Sequence, residues 1–167
     1  MSITPKLDTL IRPLTLNDIE DLYTVVWRNR DRLRESFPWP EENYSVHIAE
    51  KYILKSMQDA KDGQGLVMGL FPDNSLIGSV SIREISARDK RASISYWIDQ
   101  EHEGRGLIYK AVLELMEIAF EECNLHRLQI YTAEKNKRSR ALAEKLGFHL
   151  EGVLRDYEYL NGEFLNH

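Results

Sequence analysis

An apolar segment ending at Ile98 runs into a polar loop that carries Gly104 and Gly106, and the loop opens directly onto an amphipathic stretch from Leu107 to Phe120. This order constrains the fold more than any other feature of the chain. A strand followed at once by a long helix cannot close a hairpin. The helix must cross back over the sheet, and the next strand then lies parallel to the first. The loop also has a chemical consequence. Successive backbone amides of a glycine-containing turn can point into one concavity, and a helix N-terminus adds unpaired N–H groups and about half a positive charge. A phosphate suits such a place.

The flanking sequence supplies the rest of the expected architecture. Thr9-Leu10-Ile11-Arg12 reads as a strand that Pro13 closes. Ile19, Leu22, Tyr23, Val26 and Trp27 recur at three- and four-residue steps, which predicts a helix capped by Thr15 or Asn17. Phe37-Pro38-Trp39-Pro40 forbids its continuation. A second helix starts at Ser45, carries Ile48, Tyr52, Ile53 and Met57 on one face, and stops at Asp62-Gly63. Strands over Leu66 to Phe71, Leu76 to Ile85 and Ala92 to Ile98, with short connections, form an antiparallel meander.

After the Leu107 helix, His126 to Thr132 alternates as a strand, and Asn136 caps a helix that runs to Leu146 and ends at Gly147. A last strand from Phe148 to Tyr159 meets Asn161-Gly162, a strong hairpin signal. Only Glu163 to His167 follow the turn, short even for an edge strand. A truncated sequence, a strand supplied by another subunit, and an open sheet edge each fit this, and a homodimer is one way to cover such an edge. The expected fold is α+β: one domain over residues 1–167, with a central mixed, mostly antiparallel sheet flanked by about four helices.

Charge and composition exclude several functions. Lys and Arg total 22 against 27 Asp and Glu, a net charge of −5. Nucleic acid is therefore not expected as the main ligand, since phosphate neutralisation needs clustered positive charge. The sign suits an amine substrate. Cys123 is the one cysteine, so no internal disulfide forms and a reducing compartment is the simpler assumption. Met1 to Asp8 has neither the basic start nor the apolar stretch of a leader, and no apolar run approaches the ~18 residues that span a bilayer. A cytoplasmic protein with no membrane partner is expected. The histidines at 47, 102, 126, 149 and 167 lack metal-ligand spacing, so no metal is implied.

With the loop placed between strand and helix and upstream of Asn136 and Lys145-Leu146-Gly147-Phe148, the chain resembles the GNAT family of acetyl-coenzyme A-dependent N-acetyltransferases. The family loop, Gln/Arg-x-x-Gly-x-Gly/Ala, stands here as Glu101-His102-Glu103-Gly104-Arg105-Gly106, with Glu in the first position. Within the family the likeness is to the RimL-type branch, which acetylates the N-terminal amine of a ribosomal protein. It is carried by Phe37-Pro38-Trp39-Pro40, by Glu134-Lys135-Asn136-Lys137-Arg138-Ser139 and by Glu158-Tyr159-Leu160-Asn161-Gly162. Many other members place a Tyr four residues before the Gly of the Gly-Phe pair, as acid for the departing thiolate. Ala143 stands there in this chain.

The resemblance implies roles residue by residue. Ser139 becomes the proton donor to the leaving thiolate and Glu158 the base for the amine. The loop amides of Glu103, Gly104, Arg105, Gly106 and Leu107 hold the coenzyme pyrophosphate, Asn136 lies at the coenzyme site, and the pantetheine arm runs beside Tyr96, Trp97 and Ile98. Trp39 and Tyr44 flank the acceptor channel. Each position also has a plain structural reading: Glu158 as a solvated strand residue, Asn136 and Ser139 as a helix cap, Tyr96 and Trp97 as sheet aromatics, and the Pro-Trp-Pro corner as a clasp over the core. The expected activity is transfer of an acetyl group from acetyl-coenzyme A to a primary amine, foremost a protein N-terminus, within a ternary complex. A small-molecule acceptor such as a polyamine, aminoglycoside or amino acid, and a catalytically silent acyl-coenzyme A binding module, are the alternatives.

Overall fold

Every residue of the strand Leu66–Leu70 is buried, although no helix covers a strand on both sides by itself. Its two faces feed two cores. Leu66, Met68 and Leu70 pack with Ala111, Val112 and Leu115 on one side of the sheet, while Val67 packs with Leu22, Val25, Val26, Ala49 and Ile53 on the other. A strand sandwiched between helices needs apolar residues at every position, not at alternate ones. Burying each such side chain contributes about 1.5–3 kcal/mol.

The computed structural model describes residues 9–40 and 42–167. Met1 to Asp8, whose composition argued against a leader, lies outside the described residues. Strand β1 (Ile11–Pro13) is followed by helices α1 (Ile19–Arg34) and α2 (Val46–Asp62), then β2 (Leu66–Leu70), β3 (Gly78–Ser86) and β4 (Arg91–Ile98). Helix α3 (Leu107–Glu117), β5 (Arg127–Gln129), α4 (Lys137–Lys145), β6 (Glu158–Leu160) and β7 (Glu163–Leu165) complete the order. The five-stranded sheet runs β1-β2-β3-β4-β5, and β6 and β7 form a separate two-stranded sheet. The first three pairings are antiparallel and β4–β5 is parallel, as the strand-helix-strand order requires. The fold is the mixed α/β arrangement expected, with helices α1 and α2 on one face and α3 on the other.

Several boundaries differ from expectation, each for a physical reason. Neither Thr15 nor Asn17 caps α1. A short 3-10 turn, Leu16–Asp18, intervenes, and the Asp18 carboxylate accepts from the Thr15 amide at 2.7 Å and from both ends of the Arg12 guanidinium at 2.7 and 2.9 Å. The α2 cap is as expected: Ser45 Oγ accepts from the Ile48 amide, and Gly63 ends the helix in the left-handed region. The α-helical part of the Leu107 run ends at Glu117, and a π turn, Ile118–Glu122, carries it on. That wider turn keeps Ala119 in the core and lets the Leu125 amide return to the Ala119 carbonyl.

Two predicted strands are far shorter than their alternation implied. His126 to Thr132 contributes only Arg127–Gln129 to the sheet, paired with Arg91–Ser93. Phe148 to Tyr159 contributes only Glu158–Leu160, and Leu150 is 74% exposed. Alternation reports which way side chains face, whereas a strand also needs a neighbour to bond with. Leu154 finds that neighbour only at His167, through two backbone hydrogen bonds of 2.8 and 3.0 Å. Asn161 and Gly162, both at positive φ, make the predicted turn between β6 and β7. The hairpin is tied back to the body by Asn161 Nδ2 donating to the Arg34 carbonyl at 2.8 Å and by Asn166 meeting Glu134 at 2.8 Å.

Candidate active site

The loop after β4 is fixed from below before it turns outward. Asp99, 1% exposed, accepts from Arg28, from Asn29 Nδ2 at 2.7 Å and from His102 Nδ1 at 2.9 Å, and its amide donates to the Ile77 carbonyl at 2.7 Å. Asn29 Oδ1 in turn accepts from the Gln100 amide at 2.9 Å. Burial pushes the Asp99 carboxyl up, but hydrogen bonds from Asn29 and His102 and the Arg28 charge outweigh it and hold the group below its ordinary value. An ionised carboxylate thus clamps the loop entry to α1.

Beyond that clamp, Gly104 and Gly106 both lie at φ +73°, and a Cβ at either would meet nothing within 4 Å. Conformation, not crowding, demands glycine here, and the open side leaves the backbone approachable. Gly106 is the N-cap of α3 and offers no side-chain cap, so the first-turn amides of the helix keep their capacity for an anion.

The loop forms one end of a cavity of about 540 Å³. It exists because β5 pairs with β4 only as far as Ser93, after which β4 continues to Ile98 and the chain at residues 130–133 diverges to make the opposite wall. Among the described residues the outer edge of β4 past Ser93 has no strand partner; the Ile98 carbonyl accepts from Arg32, and the other outward backbone groups are open to an extended ligand with amides of its own. Of the residues singled out in the sequence, Tyr96, Trp97, Ile98, Glu103, Gly104, Gly106, Leu107, Asn136 and Ser139 all line this cavity.

Two side-chain groups give the wall its chemistry. Tyr96 OH and Ser139 Oγ are 2.9 Å apart, and the Ser139 amide donates to Asn136 Oδ1 at 3.1 Å, so Asn136 caps α4 while α4 presents Ser139 to β4. Burial raises the Tyr96 phenol, and the Ser139 hydrogen bond opposes that shift without cancelling it. At the loop end, Glu103 Oε1 accepts from Arg32 at 2.9 Å and its other oxygen from Arg138 at 2.5 Å. The loop's own negative charge is therefore matched by two guanidiniums. The Glu103 amide donates to the Gln100 carbonyl at 3.3 Å, so the part of the loop that fits a pyrophosphate runs from Gly104 to Leu107.

Four singled-out residues stand outside the lining. Arg105 turns back to the Glu101 carbonyl at 2.9 Å. Tyr44 is 5% exposed and stacks on Tyr23 with ring centroids 6.2 Å apart, as a core residue. Trp39 packs between Phe37, Tyr44 and Trp97 and meets the cavity through Phe37 and Trp97, which line it. Glu158 lies 3.0 Å from Nε2 of His167, and it is His167 that lines the cavity. Arg32 and His167 were not expected at the site. Arg32 arrives from α1 and His167 from the far side of the terminal hairpin, and no local motif marks either position. Among the described residues, no group of three or more His, Cys, Asp or Glu is arranged to hold a metal ion.

Known proteins are similar to this chain in sequence and in fold. Residues 8–149 match the family model described as an acetyltransferase (GNAT) domain. The ribosomal-protein-serine acetyltransferase of Escherichia coli is 30% identical over 89% of this chain and 83% of its own length. The spermidine N(1)-acetyltransferase of the same species is 28% identical over 93% of this chain and 81% of its own. Among solved structures, the ribosomal α-N-protein acetyltransferase RimL in complex with coenzyme A superimposes with a TM-score of 0.90 at 26% identity, over 93% of this chain and 88% of that one. By the span of the family match and the identity to these relatives, this chain belongs to the GNAT family of acetyltransferases.

Proposed function

We propose that this protein transfers the acetyl group of acetyl-coenzyme A to a protein N-terminal α-amine, directly and within a ternary complex. One observation carries the reading. A single cavity has an anion-binding glycine loop at one end and a hydrogen-bonded Tyr96–Ser139 pair on its wall, as a coenzyme thioester with its phosphates at the loop requires. The reading is supported by the relatives named for ribosomal-protein acetylation. We take residues 1–167 as one such domain, since the hairpin beyond the family match is tied to the body through Asn161 and Asn166.

The chemistry follows from what the residues offer. The amides of Gly104, Arg105, Gly106 and Leu107 would hold the pyrophosphate, with Arg138 beside the loop, whereas the Glu103 amide is bonded to the Gln100 carbonyl at 3.3 Å. The unpaired edge of β4 at Tyr96, Trp97 and Ile98 bonds the amides of the pantetheine arm. The amine nitrogen attacks the thioester carbonyl carbon, the carbon–sulfur bond breaks, and the electron pair stays on sulfur. Ser139 protonates that sulfur and is itself resupplied from Tyr96 OH. An α-amine titrates near pH ~8, so a substantial share arrives neutral and a base on the terminal hairpin, where Glu158 and His167 lie 3.0 Å apart, draws off the remaining proton. Holding two substrates in one cavity is worth up to ~7 kcal/mol or more, so loss of the proton acceptor slows the reaction without abolishing it.

A small amine is the second acceptor class, favoured by the similarity to a spermidine acetyltransferase over most of the chain. Free-thiol release from acetyl-coenzyme A, measured with peptides beginning in Ser, Thr or Ala beside spermidine and an aminoglycoside, separates the two. The expected result is turnover on a peptide, with the acetyl group mapped to its α-nitrogen by mass spectrometry. Turnover only on spermidine or the aminoglycoside would reassign the acceptor. Thermal stabilisation by coenzyme with no thiol release from any amine would make the protein a binding module instead.

A further inference from the structure

Glu158 carries the carboxylate, yet it does not line the cavity; His167 stands between. The Glu158 side chain is 27% exposed on β6, and its Oε2 lies 3.0 Å from Nε2 of His167. His167 lines the cavity, and its side chain is only 11% exposed. Its other ring nitrogen, Nδ1, is buried and has no hydrogen-bond partner among the described residues. A carboxylate can only accept, so the proton of a neutral imidazole held at 3.0 Å sits on Nε2. The lone pair is then on Nδ1. A buried acceptor without a donor costs about 1–3 kcal/mol, and catalysis is one of the few reasons to retain one.

We propose that His167 is the catalytic base of this enzyme and that Glu158 is a positioning residue acting through it. The inference rests on the amine-acetylation reading above and names which of the two groups takes the proton. Imidazole is the side chain whose protonation changes nearest neutral pH, which matches the task better than a lone carboxylate. As the amine nitrogen bonds to the acetyl carbon, its proton passes to Nδ1, directly or through one water. The imidazolium is stabilised by Glu158, and the proton then leaves to solvent. Sulfur departs with the carbon–sulfur electron pair and takes its proton from Ser139, and the Tyr96–Ser139 pair regains a proton from solvent as His167 releases one, so the two transfers balance.

The hairpin is built to hold this pair. His167 is fixed by reciprocal backbone hydrogen bonds with Leu154 of 2.8 and 3.0 Å, and its ring packs on Tyr157 with centroids 5.2 Å apart. Tyr157 in turn stacks on Tyr131 of the opposite cavity wall, with centroids 5.6 Å apart. The titratable groups against the imidazole are thus Glu158 and Tyr157 of its own hairpin, with Tyr131 behind them. Arg32, Glu35, Glu103, Arg138 and Lys145 are the charged residues elsewhere on the cavity lining, with His102 a further titratable one.

The test uses the full chain with acetyl-coenzyme A and whichever amine the wild type acetylates. His167→Gln should lower kcat/KM about 100-fold at pH 7, leave coenzyme affinity unchanged, and recover as pH rises past the amine's own titration. His167→Ala should regain activity with added imidazole. Glu158→Gln should cost less, about 10-fold, and add nothing in the His167→Gln background. If these variants unfold, 15N shifts of the wild-type imidazole still report whether Nε2 carries the proton, and pyridine-like Nε2 would overturn the assignment. Wild-type rate and pH profile in His167→Gln, together with a large loss in Glu158→Gln, would return the role of base to Glu158. A wild type that acetylates no amine would sink the functional reading itself, which is a different outcome from either.

Discussion

The phenolic oxygen of Tyr96 lies 2.9 Å from Oγ of Ser139, which joins the middle of the β4 edge to the first turn of α4 across the cavity wall. Two hydroxyls at that distance share one proton in the bond and leave one to give. When Tyr96 donates, the Ser139 proton is free for a departing thiolate. Ser139→Ala should therefore lower kcat by about 100-fold with coenzyme affinity unchanged, within the range that one positioned proton donor contributes. Tyr96→Phe should lower it by about 10-fold, since Ser139 keeps its own proton but loses its supply. Stopped-flow thiol release with coenzyme titrated in parallel checks both. Equal rates in wild type and Ser139→Ala would remove the donor role.

Gly106 and Gly147 allow a controlled comparison, because each has positive φ and open space around its Cβ position, but only Gly106 lines the cavity. Gly106→Ala and Gly147→Ala should each cost about 1–2 kcal/mol of stability, the strain of a left-handed alanine. Coenzyme affinity should fall about tenfold in Gly106→Ala alone. Calorimetry on the two variants decides this, and matched losses of affinity would mean that the loop amides do not bind phosphate.

Asp99 should make stability depend on pH. Its carboxyl titrates below the ordinary value in the folded state, so its contribution is present above the unfolded value of about 4 and is lost as pH falls through the lower, folded one. Asp99→Asn should thus cost about 2–3 kcal/mol at pH 7, through weakened bonds to Arg28, Asn29 and His102. The gap between wild type and variant should narrow in urea melts taken below pH 4. A constant gap from pH 7 to pH 3 would show that charge at this position contributes nothing.

Glu103 holds two guanidiniums at the loop, and one of them, Arg138, is largely exposed. Glu103→Gln should free Arg138 and remove a negative charge from the phosphate end, so coenzyme Kd should fall about threefold at low salt and the gain should shrink at high salt. Arg138→Ala should shift Kd the other way. Titrations at two ionic strengths measure both, and a weaker complex in Glu103→Gln would assign Glu103 to loop geometry instead.

The parts that local chemistry dictates were legible in the chain. Ser45 and Gly63 bound α2 as their types require, Asn161-Gly162 makes its turn, and Asn136 caps α4. The Gly104 and Gly106 loop sits where strand and helix patterns meet. The failures share a cause. Residues 130–132, which alternate like a strand, and 148–156, expected in the last strand, belong to neither sheet, and no pattern within a segment reports on a neighbour that is absent. Tyr44 and Trp39, expected from the resemblance beside the acceptor channel or in a clasp over the core, pack against Tyr23, Phe37 and Trp97 and lie off the lining of this cavity.

Sequence by itself determined most element types, the parallel crossover through α3, the glycine loop between strand and helix and the family likeness, because turn chemistry, capping and periodicity act over a few residues. Only the tertiary structure decided which side chains meet. Tyr96 reaches Ser139 over 43 positions of chain, Arg32 reaches Glu103 over 71, and His167 comes into the cavity wall with Glu158 behind it. These contacts depend on where β5 stops pairing with β4 and on how the hairpin is tied to Arg34 and Glu134, which are relations between segments and are written in none of them alone.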